Sequence, residues 1–221
     1  MKNNPGSASL FSYLTDHHRD LLDSSCRELA AKRGAVILHQ EEESFDLYLI
    51  LSGSVVVSLL HEDGREVVLD MLREGDVFGE MSVLNRLSRS AMVTAHSDVK
   101  MLFLSRENFL KIVMGHPHIA LELLSVMATR LRKANERIET LTFLDVAGRV
   151  SKLLIDLAKT GGESLSDGSV RIKCPTHETI AKRIGSSREA VTKALKSLAS
   201  NGQIAVTGRE VVISPRQFDL S

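Results

Sequence analysis

Apolar and polar residues change rhythm twice along this chain. Between Gly34 and Leu104 the apolar residues fall in short runs rich in β-branched types, at residues 35–39, 47–51, 54–60, 66–71, 91–95 and 99–104. Turn residues separate them, as in Leu51-Ser52-Gly53-Ser54, Glu62-Asp63-Gly64-Arg65 and Arg73-Glu74-Gly75-Asp76. Asp63-Gly64 between two apolar runs is a strong hairpin signal. Many short strands at this spacing predict an antiparallel sandwich or barrel. Ahead of them, residues 10–32 read as short helices with Phe11, Leu14, Leu21, Leu22 and Leu29 as apolar positions, and residues 1–9 as a loose polar arm.

Beyond Ser105, which can cap a short helix over 105–115, the period becomes helical. His116-Pro117 opens the longest predicted helix, 117–144. Along it Ala120, Leu124, Met127, Leu131, Ala134, Ile138 and Leu141 alternate in steps of four and three. That is the a/d seam of a two-stranded coiled coil. Arg132, Lys133, Glu136, Arg137 and Glu139 form its charged side. The pattern points to self-pairing, and so to a homodimer; the alternative is an amphipathic helix packed on its own domain. After it come a helix over 146–159 that Asp145 can cap, a polar loop over 163–169 and a strand over 170–173. Two helices follow, 176–183 and a second that Ser186 or Ser187 caps and that runs to about Ala199, broken by Gly185, and then a hairpin of 203–206 and 210–213 around Thr207-Gly208. Helix, tight turn, helix and β-hairpin make a winged helix-turn-helix. The predicted fold is α+β with three parts: a β-rich module over 1–115, the long helix over 116–144 and the winged module over 145–221.

Charge supports that division. Net charge is zero over 221 residues, but 1–144 carry 16 Lys and Arg against 20 Asp and Glu, a balance of −4, and 145–221 carry 12 against 8, a balance of +4. A basic C-terminal end suits a polyanionic partner. No apolar run approaches the ~18 residues of a membrane span, and no signal-peptide pattern is present. The expectation is therefore a cytoplasmic protein with no membrane partner. Cys26 and Cys174 lack CxxC partners, which argues against a structural zinc or an iron–sulfur cluster, and no metal is expected.

Two stretches carry chemistry. The first is Gly75-Asp76-Val77-Phe78-Gly79-Glu80-Met81-Ser82-Val83-Leu84, continuing to Arg89-Ser90-Ala91. Gly79 lets the backbone approach a ligand, and a short helical turn through Glu80, Met81 and Ser82 offers N–H groups to an anion. Arg89 can fork onto a phosphate, Ser90 can add a hydroxyl, and Glu80 can accept from a sugar hydroxyl. The alternative is a strand-turn-strand with a surface Arg89–Glu80 pair. The stretch holds no paired carboxylates, metal-ligand cluster or nucleophile–base set, which disfavours an enzyme. The second stretch is Gly185-Ser186-Ser187-Arg188-Glu189-Ala190-Val191-Thr192-Lys193. At the start of a recognition helix, Arg188 can be bidentate to guanine and Glu189 can accept from the cytosine amine. Lys193 reaches a base or a phosphate. Thr176 and Ser187, at the two helix starts, complete the predicted DNA-facing set. Ile184, Val191, Ala194, Leu195 and Leu198 are the predicted core.

In their order, these motifs resemble the cyclic-AMP receptor protein (catabolite activator) and fumarate-nitrate regulator family of bacterial transcription factors. The resemblance runs from about Leu10 to Ile213. It includes Leu51-Ser52-Gly53-Ser54-Val55, Gly64-Arg65-Glu66, Glu74 to Glu80, Arg89-Ser90-Ala91, Phe143-Leu144-Asp145-Val146 and Ser187-Arg188-Glu189. It implies a β-roll sensor, a dimer helix and a winged helix-turn-helix. It also implies cAMP as ligand, Glu80 on the ribose hydroxyl, Arg89 and Ser90 on the cyclic phosphate, and Arg188, Glu189 and Lys193 reading a palindromic TGTGA-like site. RNA polymerase is an implied partner. The chain departs from the family where hydroxyl residues usually face the base: here stand Ala134 and Asn135, of which only Asn135 can hydrogen-bond. A lysine, Lys193, replaces the arginine of the best-known member, and Glu41-Glu42-Glu43 replaces a Gly-containing turn and reads as a solvated loop. Cyclic GMP, cyclic di-GMP or ligand-free activity are the alternatives to cAMP. Ligand held against the long helix is expected to shift the joint near Phe143–Asp145 toward a DNA-competent state.

Overall fold

The computed structural model describes residues 26–215. The chain divides into two compact units between Ala134 and Asn135, inside the long helix.

Among the described residues of the first unit, eight strands form two antiparallel four-stranded sheets. The strands are β1 (Cys26–Ala31), β2 (Val36–Leu38), β3 (Leu47–Ser52), β4 (Ser54–Leu60), β5 (Glu66–Arg73), β6 (Val77–Phe78), β7 (Met92–Ala95) and β8 (Val99–Leu104). One sheet runs β1-β8-β3-β6 and the other β2-β7-β4-β5. Alternation along β3 explains the stacking. Tyr48 and Ile50 join Leu38, Val55, Leu72, Val93 and Met101 in a core contributed by both sheets. Leu47 and Leu49 join Val77, Val83, Phe109, Ile112, Ile119 and Leu123 in a second core. This second core lies under helices α1 (Glu80–Asn85), α2 (Arg106–Gly115) and α3 (His118–Phe143). A strand buried on both faces reads as an unbroken apolar run, and Leu47-Tyr48-Leu49-Ile50 is one. The Asp63-Gly64 hairpin forms as expected, with Gly64 at φ 83° and His61 N–H donating to Arg65 O at 2.9 Å.

The expectation of helix through Lys32 is wrong for its last part. Residues 26–31 form β1, paired antiparallel from Cys26↔Leu104 to Ala31↔Val99. Arg, Glu, Leu and Ala favour helix locally, but the ladder offered by the edge of β8 overrides that preference. Residues 10–25 lie outside the described residues. The short strand β6 was also not foreseen.

The second unit holds the end of α3, then α4 (Val146–Gly161), α5 (His177–Ile184) and α6 (Arg188–Ser200). Its strands β9 (Glu163–Ser164), β10 (Val170–Lys173), β11 (Ile204–Thr207) and β12 (Glu210–Ile213) run in the order β11-β12-β10-β9. The predicted caps are in place. Asp145 accepts from Gly148 N–H at 2.8 Å, Thr176 from Thr179 N–H at 3.1 Å and Ser187 from Ala190 N–H at 3.1 Å. One core joins the three helices and the wing, with Val150, Leu154, Ile172, Ile180, Ile184, Val191, Leu195, Leu198 and Val211 buried. Strand β9 replaces part of the expected polar loop, pairing Ser164 with Val170. Among the described residues no single helix is long and apolar enough to cross a membrane.

Candidate functional site

Gly79 turns the chain from β6 into α1. Its φ of 84° lies in the left-handed region. A Cβ there would stand 2.5 Å from Asp46 O and 2.7 Å from Arg89 Nη1, so the position needs glycine on two counts. No side chain caps α1 at Gly79, which leaves the N–H groups of its first turn, on Glu80, Met81 and Ser82, uncapped by a side chain.

Arg89 is folded inward and is 2% exposed. Its backbone is clamped by the acidic loop: Arg89 N–H donates to Glu42 O at 2.9 Å and Glu41 N–H to Arg89 O at 2.8 Å. The side chains of Glu41, Glu42 and Glu43 stay exposed, as a solvated loop requires. The Arg89 guanidinium donates from Nε to Ser44 Oγ at 2.8 Å, and from Nη1 to Asp46 O and Gly79 O, each at 3.0 Å. Its central carbon stands 6.0 Å from the centroid of the Tyr48 ring. Every acceptor is a neutral oxygen, and Nη2 is buried with no hydrogen-bond partner among the described residues. Burial pulls the guanidinium below its ordinary pKa, against the pull of Tyr48, Asp46, Glu42 and Glu80. A buried cation with an unused donor fits an anionic group such as a phosphate.

The alternative of a surface Arg89–Glu80 pair does not hold. Glu80 is 5% exposed and pairs with Arg130, whose Nη1 lies 2.7 Å from Glu80 Oε1. Arg130 also donates from Nη2 to Val77 O. Sequence reasoning missed Arg130. The signal was available: Ile119, Leu123, Val126 and Arg130 continue one helix stripe in steps of four, three and four, so a basic residue ends an otherwise apolar inward face. Lys133, one turn on, reaches Asp70 at 3.3 Å.

The other predicted residues are placed differently. Ser90 is exposed, with its hydroxyl 3.5 Å from Met81 Sδ. Met81 is 45% exposed. Ser82 is buried and its hydroxyl donates to Ser88 O at 3.4 Å, so it closes the turn ahead of Arg89. Asn135 is exposed on α3 and belongs to the second unit.

In the second unit, Arg188, Glu189 and Lys193 line one open groove together with Thr192 and Lys196. Val191, Ala194, Leu195 and Leu198 fill the opposite face of α6. Ser187 and Thr176 are exposed caps at the starts of α6 and α5. His177 Nδ1 lies 2.8 Å from Thr192 Oγ1, which joins the start of α5 to the grooved face of α6. Lys196 went unnoticed in the sequence, although it lies two helical turns beyond Arg188 on the same face.

Comparison with known proteins agrees with this division of chemistry. Residues 28–116 match the model of a cyclic nucleotide-binding domain, and residues 148–217 that of a Crp-like helix-turn-helix domain. A CRP-like cAMP-activated global transcriptional regulator of Mycobacterium tuberculosis is 36% identical over 183 residues, 82% of this chain and 81% of that protein. The cAMP-activated global transcriptional regulator CRP of Salmonella typhimurium is 34% identical, over 81% of this chain and 85% of that protein. Among solved structures, the Thermus thermophilus catabolite activator protein is 31% identical, with TM-score 0.55, over 96% of this chain and 99% of that one. A CooA mutant from Carboxydothermus hydrogenoformans shares the fold, at TM-score 0.75 and 24% identity, over 96% and 93%. The chain thus belongs to the CRP-like family of DNA-binding transcriptional regulators, and is a regulator with a cyclic nucleotide-binding domain rather than an enzyme.

Proposed function

We propose that the protein is a cytoplasmic homodimer that binds a palindromic DNA site when cAMP occupies the cassette formed by Gly79, Glu80, Met81, Ser82, Arg89 and Ser90. The observation that carries this reading is the Arg89 guanidinium, buried, bonded only to neutral oxygens and with Nη2 unused. A cyclic phosphate supplies the missing acceptor and charge. In this reading Glu80 accepts from the ribose hydroxyl, the first N–H groups of α1 and the Ser90 hydroxyl add donors to the phosphate, and Asn135 reads the base. The names of the Mycobacterium and Salmonella relatives support cAMP.

The exposed stripe on α3 supports the dimer. Leu124, Leu131, Ile138 and Leu141 are between 49% and 64% exposed in the single chain, and they are the seam positions of the heptad pattern. Arg188, Glu189 and Lys193 then read base edges, while Thr176 and Ser187 approach phosphates at the helix starts. RNA polymerase is the expected protein partner of the DNA-bound dimer.

A second reading keeps the architecture and changes the base. Its motive is Ala134 and Asn135, which stand where the family usually offers hydroxyls to the base. A thermal-shift screen with cAMP, cGMP and cyclic di-GMP separates the two readings. The first expects cAMP to give the largest rise in melting temperature. A larger rise with another nucleotide establishes the second.

A further inference from the structure

The HTH turn of the second unit is held by arginines from two helices outside it. Helix α5 ends at Ile184, and its last carbonyls have no partner within the helix. Gly185 and Ser186 N–H both turn back to Ala181 O. Arg183 O accepts from Arg137 Nη2 at 2.9 Å, and Ile184 O accepts from Arg149 Nη1 at 3.1 Å. Both cations sit at the negative end of the α5 dipole, which favours them. Their origins differ. Arg149 lies on α4, inside the winged module. Arg137 lies on α3, on the segment Asn135–Phe143 that shares this unit.

The chain passes from α3 to α4 through only Leu144 and Asp145. A second polar contact crosses the same joint: Lys152 Nζ donates to Thr140 Oγ1 at 2.7 Å. The Thr140 hydroxyl hydrogen is already directed to Glu136 O at 2.7 Å, so the lysine is the donor in this contact. Two bonds therefore bridge a two-residue joint, and the one from Arg137 ends on the carbonyl two residues before the HTH turn at Gly185. Ser187, which caps the recognition helix, follows at once.

We propose that Arg137, supported by Lys152, is a positioning residue for DNA recognition: it fixes the recognition helix against the end of the long helix and so sets the spacing of half-sites that the dimer accepts. This rests on the dimer reading above. In a two-fold dimer the separation of the recognition helices follows from how each is held to the shared helix. A charge-assisted bond to a helix-terminal carbonyl is directional, whereas the apolar contacts around it tolerate small rotations.

The test uses the full-length protein with saturating cAMP, and the duplex that the wild type selects from a randomised pool. Anisotropy titrations compare this duplex with others carrying one or two base pairs inserted or removed at the centre. For the wild type, affinity falls on the order of tenfold or more off the best spacing. For Arg137→Met with Lys152→Met, which keeps the aliphatic stems, the fall shrinks to about threefold or less. Arg149→Met, which weakens the α4–α5 contact inside the module, lowers the melting temperature and leaves the spacing ratio at the wild-type value. A wild-type ratio in the double variant overturns the positioning role while the dimer reading stands. A wild type indifferent to spacing overturns the dimer reading, and the positioning role with it.

Discussion

Glu80 and Arg130 meet at 2.7 Å, with side chains only 6% and 27% exposed. The pair joins the first residue of α1, in the cassette, to the long helix. A buried pair of this kind is weak evidence of net stability, because both charges lose hydration. Breaking it from one side is costly, because the remaining charge stays buried. Arg130→Met should therefore destabilise the first unit by about 3 kcal/mol, the lower end of the range since Arg130 is partly hydrated. Glu80→Gln, which leaves the less buried partner charged, should cost less, and the double variant should recover part of the loss. Urea unfolding of the three variants measures this. Additive losses would show that the two side chains do not act as a pair.

Gly79→Ala should remove nucleotide binding without replacing an ionisable group. The new Cβ meets Asp46 O and Arg89 Nη1 at distances that nothing can tolerate without moving, and φ 84° adds strain of about 1–3 kcal/mol. Calorimetry with cAMP should show no heat of binding, while circular dichroism keeps its native form. Unchanged affinity would mean that Arg89 can shift without loss, and that its placement is not what the site depends on.

Asp76 is half-buried, and burial raises its pKa above the ordinary carboxylate value, ahead of the opposing bond from Arg73 N–H and the charge of Arg130. The sign follows. Below the unfolded pKa of about 3.9 both states hold the proton and Asp76 has no effect on stability. As pH rises past that value the unfolded chain releases its proton first, so folding loses free energy until the folded pKa is passed. Asp76→Asn removes this loss. The variant should unfold at higher urea than the wild type at pH 7, and the two should converge as pH falls below about 4. A variant less stable at every pH would show that the charge, not its burial, dominates there.

The DNA-facing groove separates two kinds of contact. Arg188→Ala should cost about 1–3 kcal/mol on a specific site and much less on random DNA. Lys196→Ala should weaken both alike and lower the salt slope by about one. Electrophoretic or anisotropy titrations at several salt concentrations give both quantities. Equal losses on both DNAs for Arg188 would reduce it to a phosphate contact.

What the sequence made legible follows from range of interaction. Caps at Ser105, Asp145, Thr176 and at Ser186 or Ser187 are local chemistry, and each is found bonded, the last of them at Ser187. The β3 run was readable because burial on both faces leaves an unbroken apolar stretch. Strand β1 was not, because its only strong strand signal is the neighbour it pairs with, 78 to 68 residues away. At the candidate site Gly79, Glu80 and Arg89 could be named from the motif. The partner of Glu80 lies fifty residues on, in α3, where the helix stripe marks Arg130 as inward-facing but does not say that it meets Glu80. The heptad seam was legible as a pattern, and a single chain leaves that stripe exposed.

The most direct test of the account is titration calorimetry of cAMP into the wild-type protein and Arg89→Ala, with molar mass measured by light scattering on both. The account predicts saturable binding to the wild type, loss of binding in the variant, and a dimer mass for each. Wild-type affinity in Arg89→Ala would contradict the assignment of the buried guanidinium to the cyclic phosphate.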